Sequence, residues 1–146
     1  MTPAAVDSRS YYRRFLAIPT RWMDNDTYGH VNNVVYYAYF DTVVNEHLIR
    51  EGGLDIRNGP AIGVVAETAC RFMRPLSFPE IIDAGLRVAK LGNSSVAYDI
   101  GLFCQGQDEA AATGRFVHVW VDRLTRRPMP LPPAIRAALA QLVDTG

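Results

Sequence analysis

Residues 34 to 50 read VVYYAYFDTVVNEHLIR, a run without glycine or proline that is followed by Gly52-Gly53. An uninterrupted stretch of this kind, closed by a glycine pair, predicts an α-helix with a stop signal. Its apolar members include Val34, Val35, Tyr36, Tyr37, Phe40, Val43, Val44, Leu48 and Ile49, and they cover nearly the whole circumference. A helix that is apolar on all sides is an enclosed one. The rest of the chain must therefore supply the enclosure.

Downstream the pattern changes to period two. Ile62, Val64, Ala66, Thr68, Cys70 and Phe72 alternate with Gly63, Val65, Glu67, Ala69 and Arg71. Residues 81 to 91 form a second strand-like run, and Gly92-Asn93-Ser94-Ser95 supplies hairpin turn chemistry. Val96, Tyr98, Ile100, Leu102 and Cys104 mark a third strand, and residues 110 to 121 a fourth. A proline-rich loop from Pro128 to Pro133 leads into a short helix over 134 to 143. Upstream of the long helix, residues 11 to 22 are aromatic and β-forming and read as a strand. Strands joined by short turns make an antiparallel sheet. The expected architecture is a single α+β domain over residues 1 to 146, with a curled antiparallel sheet wrapped around a long central helix and residues 1 to 10 flexible. In the last strand Phe116, His118 and Trp120 alternate with Val117, Val119 and Val121. Both its faces read as apolar, so a second buried surface and hence an oligomer are expected.

The chain has 15 basic and 15 acidic residues, so its formal net charge is +0. That balance lacks the basic footprint of a nucleic-acid binder. All the basic residues but Lys90 are Arg. Cys70 and Cys104 are far apart in apolar runs and read as reduced core residues. Neither a signal-peptide core nor a run of bilayer-spanning length is present. The reading is a cytoplasmic protein with no membrane partner.

Just before the helix lies the densest polar segment, Asp24-Asn25-Asp26-Thr27-Tyr28-Gly29-His30-Val31-Asn32-Asn33. Asp and Asn serve routinely as caps and turn residues. Capping needs one or two of them, whereas five stand here. A calcium loop counted from Asp24 would need an oxygen ligand where Tyr28 stands and Glu where Val35 stands. His30, His47 and His118 are too dispersed for a zinc site, and no metal is expected. No Gly-x-Ser-x-Gly elbow and no phosphate-cradling glycine loop occurs. What remains is a carboxylate at the mouth of a helix N-terminus, where free N–H groups and the dipole can stabilise a developing oxyanion. Such sparse equipment suits a leaving group that needs no protonation, and thiols ionise near neutrality.

The stretch Asp-x-Asp-x-x-Gly-His-Val-Asn-Asn, followed by Tyr36, Tyr37 and Tyr39-Phe40-Asp41, resembles the 4-hydroxybenzoyl-CoA thioesterase-like branch of the hotdog-fold acyl-CoA thioesterases. Arg71 to Leu76, Leu91 to Ser95, Val121-Asp122 and Arg127-Pro128 support the resemblance. It implies an acyl-CoA substrate, no separate cofactor, and a homodimer or homotetramer with interfacial active sites. Asp26 falls on the family's catalytic carboxylate, acting as nucleophile or general base. The backbone N–H groups of Val31, Asn32 and Asn33 would face the thioester oxygen. Tyr28, Gly29, His30, Tyr36 and Tyr37 are candidates to line the site. Lys90 and Arg126, with Ser94 and Ser95, are candidates to hold coenzyme A. Two rivals stand beside this reading: a hydratase pairing His30 with Asp26, and a non-catalytic acyl-binding module. Within the fold, Asp41 or Glu46 on the helix are alternative carboxylates.

Overall fold

A computed structural model describes residues 5 to 143. Five strands and two helices occur in the order β1 (Arg14–Pro19), α1 (Asn33–Gly52), β2 (Ala61–Phe72), β3 (Ile81–Leu91), β4 (Ser95–Cys104), β5 (Ala112–Asp122) and α2 (Pro133–Ala140). The sheet has the spatial order β1-β3-β4-β5-β2, and every neighbouring pair is antiparallel. The helix between β1 and β2 lies against the concave face, which is the hotdog arrangement that the sequence leads one to expect. At Gly53 the backbone turns left-handed (φ 63), and its N–H donates to the Leu48 carbonyl, which ends α1.

One face of α1 is buried rather than its whole circumference. Tyr36, Tyr39, Phe40, Val43, Val44, His47 and Leu48 form a stripe at the 3-4 spacing of an amphipathic helix. Val34, at 73% exposure, and Ile49, at 41%, look outward. A five-stranded sheet with α2 wraps one side of a helix only, so the far side of α1 stays open in the single chain. On β5 the inner residues Phe116, His118 and Trp120 are buried, while Val117 and Val119 are half-buried on the outer face. His118 sits edge-on to Phe116 (4.9 Å) and Trp120 (6.0 Å), and burial pushes its imidazole pKa down to about 4.

The first strand is shorter than the run of β-forming residues. Arg9–Tyr11 and Trp22–Asp24 are 3-10 turns flanking it. Residues 5 to 10 make contacts with the rest of the domain. Arg9 pairs with Asp83 at 3.0 Å, and the Tyr12 hydroxyl donates to the Val6 carbonyl at 2.5 Å. Residues 1 to 4 lie outside the described residues. No helix among the described residues is long and apolar enough to cross a membrane.

Candidate active site

Between β1 and α1 the chain makes a compact loop that is sewn to the start of β3. The Thr20 amide donates to the Glu80 carbonyl (3.1 Å), the Phe78 amide to Asn25 Oδ1 (3.0 Å) and the Val31 amide to the Leu76 carbonyl (2.7 Å). Asp24 is the loop's structural centre. Its carboxylate accepts hydrogen bonds from the Arg21 amide (2.8 Å), the Tyr39 hydroxyl (2.8 Å) and the Arg21 guanidinium (3.0 and 3.1 Å). Burial raises the Asp24 pKa, but these donors outweigh it and hold the carboxyl below its ordinary value. The phenol of Tyr39 is pushed up, by its burial first and by Asp24 second.

Asp26, two residues on, is treated differently. Its amide donates to the His30 carbonyl (2.8 Å) and its carbonyl accepts from the Gly29 amide (3.1 Å), closing a turn in which Gly29 has φ 84. An L side chain rarely adopts that φ, so glycine serves the turn. Asp26 Oδ1 accepts the Tyr28 amide at 2.8 Å. Oδ2 receives no hydrogen bond from any described residue. The half-buried side chain opens on a groove of about 890 Å³ that it lines with Trp22, Met23, Tyr28 and Asn32, among others.

The start of α1 corrects one expectation. Of the three amides proposed to face a carbonyl oxygen, two are engaged: Val31 with Leu76, and Asn32 with the Asp24 carbonyl at 2.9 Å. These bonds anchor the loop to the sheet and close the Asp24 turn, so they are not free for a substrate. Asn32 caps the helix, its Oδ1 accepting the Val34 amide at 3.1 Å. The Asn33 amide alone of the three has no partner among the described residues. It borders a second, smaller cleft of about 230 Å³ shared with His30, Tyr36, Phe72 and Arg74. An amide at this position has the helix dipole behind it and can polarise a carbonyl.

The other candidates separate. Tyr28 and His30 are exposed on the loop, and Tyr36 is buried edge-on to Phe72 (4.9 Å). Tyr37 packs edge-on to Phe40 (5.9 Å) and borders the core rather than the groove. The side chains of His30 and Asp26 share no hydrogen bond or ion pair, contrary to what a hydratase pairing requires. On α1, Glu46 is bound by Arg14 (2.7 Å) and Arg50 (2.9 Å), whereas exposed Asp41 is held by Asn45 at 3.0 Å. A groove of about 760 Å³ runs past both on the open side of the helix. Among the described residues, no three His, Cys, Asp or Glu side chains converge as a metal site would need.

Lys90, Ser94, Ser95 and Arg126 do not meet Asp26 within one chain. The Asp26 loop is pinned beside the start of β3, whereas Lys90 and the Ser94-Ser95 hairpin lie at its far end. An 11-residue strand separates the two by about 30 Å. The Ser94 carbonyl accepts the Trp120 amide (2.7 Å), and Arg126, in the turn after β5, has φ 63. Both therefore belong to that far end. The sequence reading also overlooked Trp22 and Met23. Their signal was an aromatic-Met pair standing directly before the Asp-rich turn.

Comparison with known proteins agrees with this fold. The thioesterase-like superfamily matches residues 20–139. The Pseudomonas aeruginosa protein PA5185 is 54% identical, with a TM-score of 0.94 and coverage of 96% of this chain and 98% of that one. A thioesterase from Thermus thermophilus, solved with coenzyme A and Zn, is 30% identical with a TM-score of 0.75, covering 90% of this chain and 94% of that one. YsmA of Bacillus subtilis is 25% identical over 127 residues, 83% of this chain and 84% of its own. With a hotdog sheet, an enclosed helix face and a carboxylate at the helix mouth, the chain belongs to the thioesterase-like superfamily and is a thioester hydrolase.

Proposed function

We propose that the chain hydrolyses acyl-coenzyme A thioesters to a free acid and coenzyme A, with Asp26 acting on the thioester carbon. The observation that carries this reading is the state of Asp26. One of its oxygens is fixed by the Tyr28 amide, the other is free, and the group lines a groove beside the start of α1. The Asn33 amide would polarise the carbonyl oxygen. Asp26 would then attack the carbonyl carbon or take a proton from an attacking water. In either case the carbon–sulfur bond breaks and the electron pair leaves on sulfur as a thiolate, which needs no acid to help it go. On the attack route water then cleaves the acyl–Asp26 anhydride, releasing the free acid and restoring the carboxylate.

Coenzyme A as the acyl carrier is supported by the complex of the Thermus thermophilus relative. A homodimer or homotetramer is part of the proposal. β2 is a 12-residue edge strand, mostly exposed along its length, and such an edge invites pairing with another chain. An oligomer would also give Lys90, Ser94, Ser95 and Arg126 a role, because one copy can supply Asp26 while another supplies the cations that meet the phosphates.

The test is Asp26→Asn, assayed for thiol release. Asn keeps an oxygen to accept the Tyr28 amide, so the turn should survive and the Tm should not move. Thiol release should fall about a thousandfold. Wild-type turnover in this variant would transfer the role to Asp41, and a wild-type chain that releases no thiol from any acyl-CoA would overturn the reading.

A further inference from the structure

The surface around Asp26 is apolar where it is most exposed. Trp22 and Met23 are each 75% exposed and Tyr28 is 86% exposed, and all three line the groove that Asp26 lines. Trp22 is braced by Phe78, ring edge to ring face at 5.9 Å, which holds the indole in place. Large apolar side chains clustered in water around one polar group mark a binding surface. A groove of about 890 Å³ lies within the size range of small-molecule sites.

Charge narrows the occupant. Among the residues of this chain that line the groove, Asp26 is the sole charged side chain. The cation nearest in sequence, Arg21, is committed to Asp24 at 3.0 Å. An acyl group ending in a carboxylate would bring negative charge against Asp26, and the groove lining itself offers it no cation, the cations of a second copy being assigned to the coenzyme A phosphates. A neutral chain or ring loses water against Trp22, Met23 and Tyr28, and each methylene so buried multiplies binding about fourfold.

Resting on the assignment of Asp26 to thioester hydrolysis, we infer that the Trp22–Met23–Tyr28 groove is the acyl subsite. It selects neutral apolar acyl groups, straight-chain or aromatic, against acyl groups that end in a carboxylate.

The full chain should be assayed for thiol release from acetyl-, hexanoyl-, octanoyl-, benzoyl-, glutaryl- and adipoyl-CoA. The expected result is kcat/KM at least about tenfold higher for octanoyl-CoA than for acetyl-CoA, and about tenfold lower for adipoyl-CoA than for hexanoyl-CoA, which has the same chain length. Trp22→Ala and Tyr28→Ala should each cut the octanoyl-to-acetyl ratio severalfold, mainly through KM. Tyr28, exposed at 86%, can lose its ring without loss of the fold. Equal turnover of adipoyl- and hexanoyl-CoA would overturn the inference. So would ratios unchanged in both variants. A Trp22→Ala protein that keeps its selectivity but changes its sedimentation coefficient would also overturn it, by showing the groove covered by a second copy. Absence of thiol release from every ester, acetyl-CoA included, would instead remove the hydrolase assignment on which the subsite rests.

Discussion

The two ends of α1 are finished in different ways. At the C-terminal end most charged groups nearby are paired, although His47 Nδ1 and Arg14 Nε are buried without a partner among the described residues. His47 Nε2 lies 2.9 Å from the Ala138 carbonyl, which can only accept, so that nitrogen carries the proton. Glu46 is shared by Arg14 and Arg50, Arg14 also reaches Glu51 at 3.2 Å, and a Cβ on Gly52 would meet Ile135 at 2.9 Å. At the N-terminal end Asp24 is closed just as thoroughly, yet Asp26 keeps a free oxygen, Asn33 a free amide, and Trp22, Met23 and Tyr28 stand in water. Leaving such groups unmatched costs stability and gains nothing for the fold. The contrast supports placing the proposed chemistry at the N-terminal end, where exposed polar and apolar groups await a partner from outside.

Four perturbations would break or sharpen that contrast. The largest effect on stability is expected at the closed end. Leu48 is fully buried, and Leu48→Ala should lower unfolding free energy by about 3 to 4 kcal/mol in urea titrations. The folded fraction should keep kcat/KM within about twofold, and a large catalytic loss without unfolding would show that the two ends are not separate.

Acid comes next. Burial lowers the pKa of both His118 and His47, so their neutral forms are favoured in the folded state. The unfolded chain then binds more protons as pH falls below about 6.5, and stability is full above that value and declines beneath it. For His118, whose folded pKa is about 4, the decline is about 3 kcal/mol by pH 4. His118→Gln should flatten the slope of urea midpoint against pH, and an unchanged slope would locate the acid sensitivity elsewhere.

Asp24→Asn should act on both properties. It exchanges a carboxylate for an amide facing Arg21 and Tyr39, at about 2 kcal/mol, and loosens the loop that presents Asp26. Tm and thiol release should fall together; a fall in Tm alone would mean that the Asp26 turn holds its shape unaided. The smallest effect is that of Asn32→Ala, which removes the α1 cap and should cost about 1 kcal/mol by the same unfolding measurement.

Much of this was legible in the order of residues, because the signals are local. Periodicity distinguishes α1 from β2 to β5, Gly53 marks where the helix stops, and Asp26-Thr27-Tyr28-Gly29 has turn chemistry whatever surrounds it. Those choices depend on neighbours within four residues, so spacing reveals them, and with them the hotdog architecture and the carboxylate at the helix mouth. Tertiary structure alone decided the rest. It took the Val31 amide away to Leu76, 45 positions distant, and left the Asn33 amide free. It turned one stripe of α1 inward and left the other bare, and it sent Lys90, Ser94, Ser95 and Arg126 to the opposite end of the sheet from Asp26. Hydrogen-bond partners and exposure are set by segments that meet only after the sheet has curled, and no spacing along the chain encodes which of them will meet.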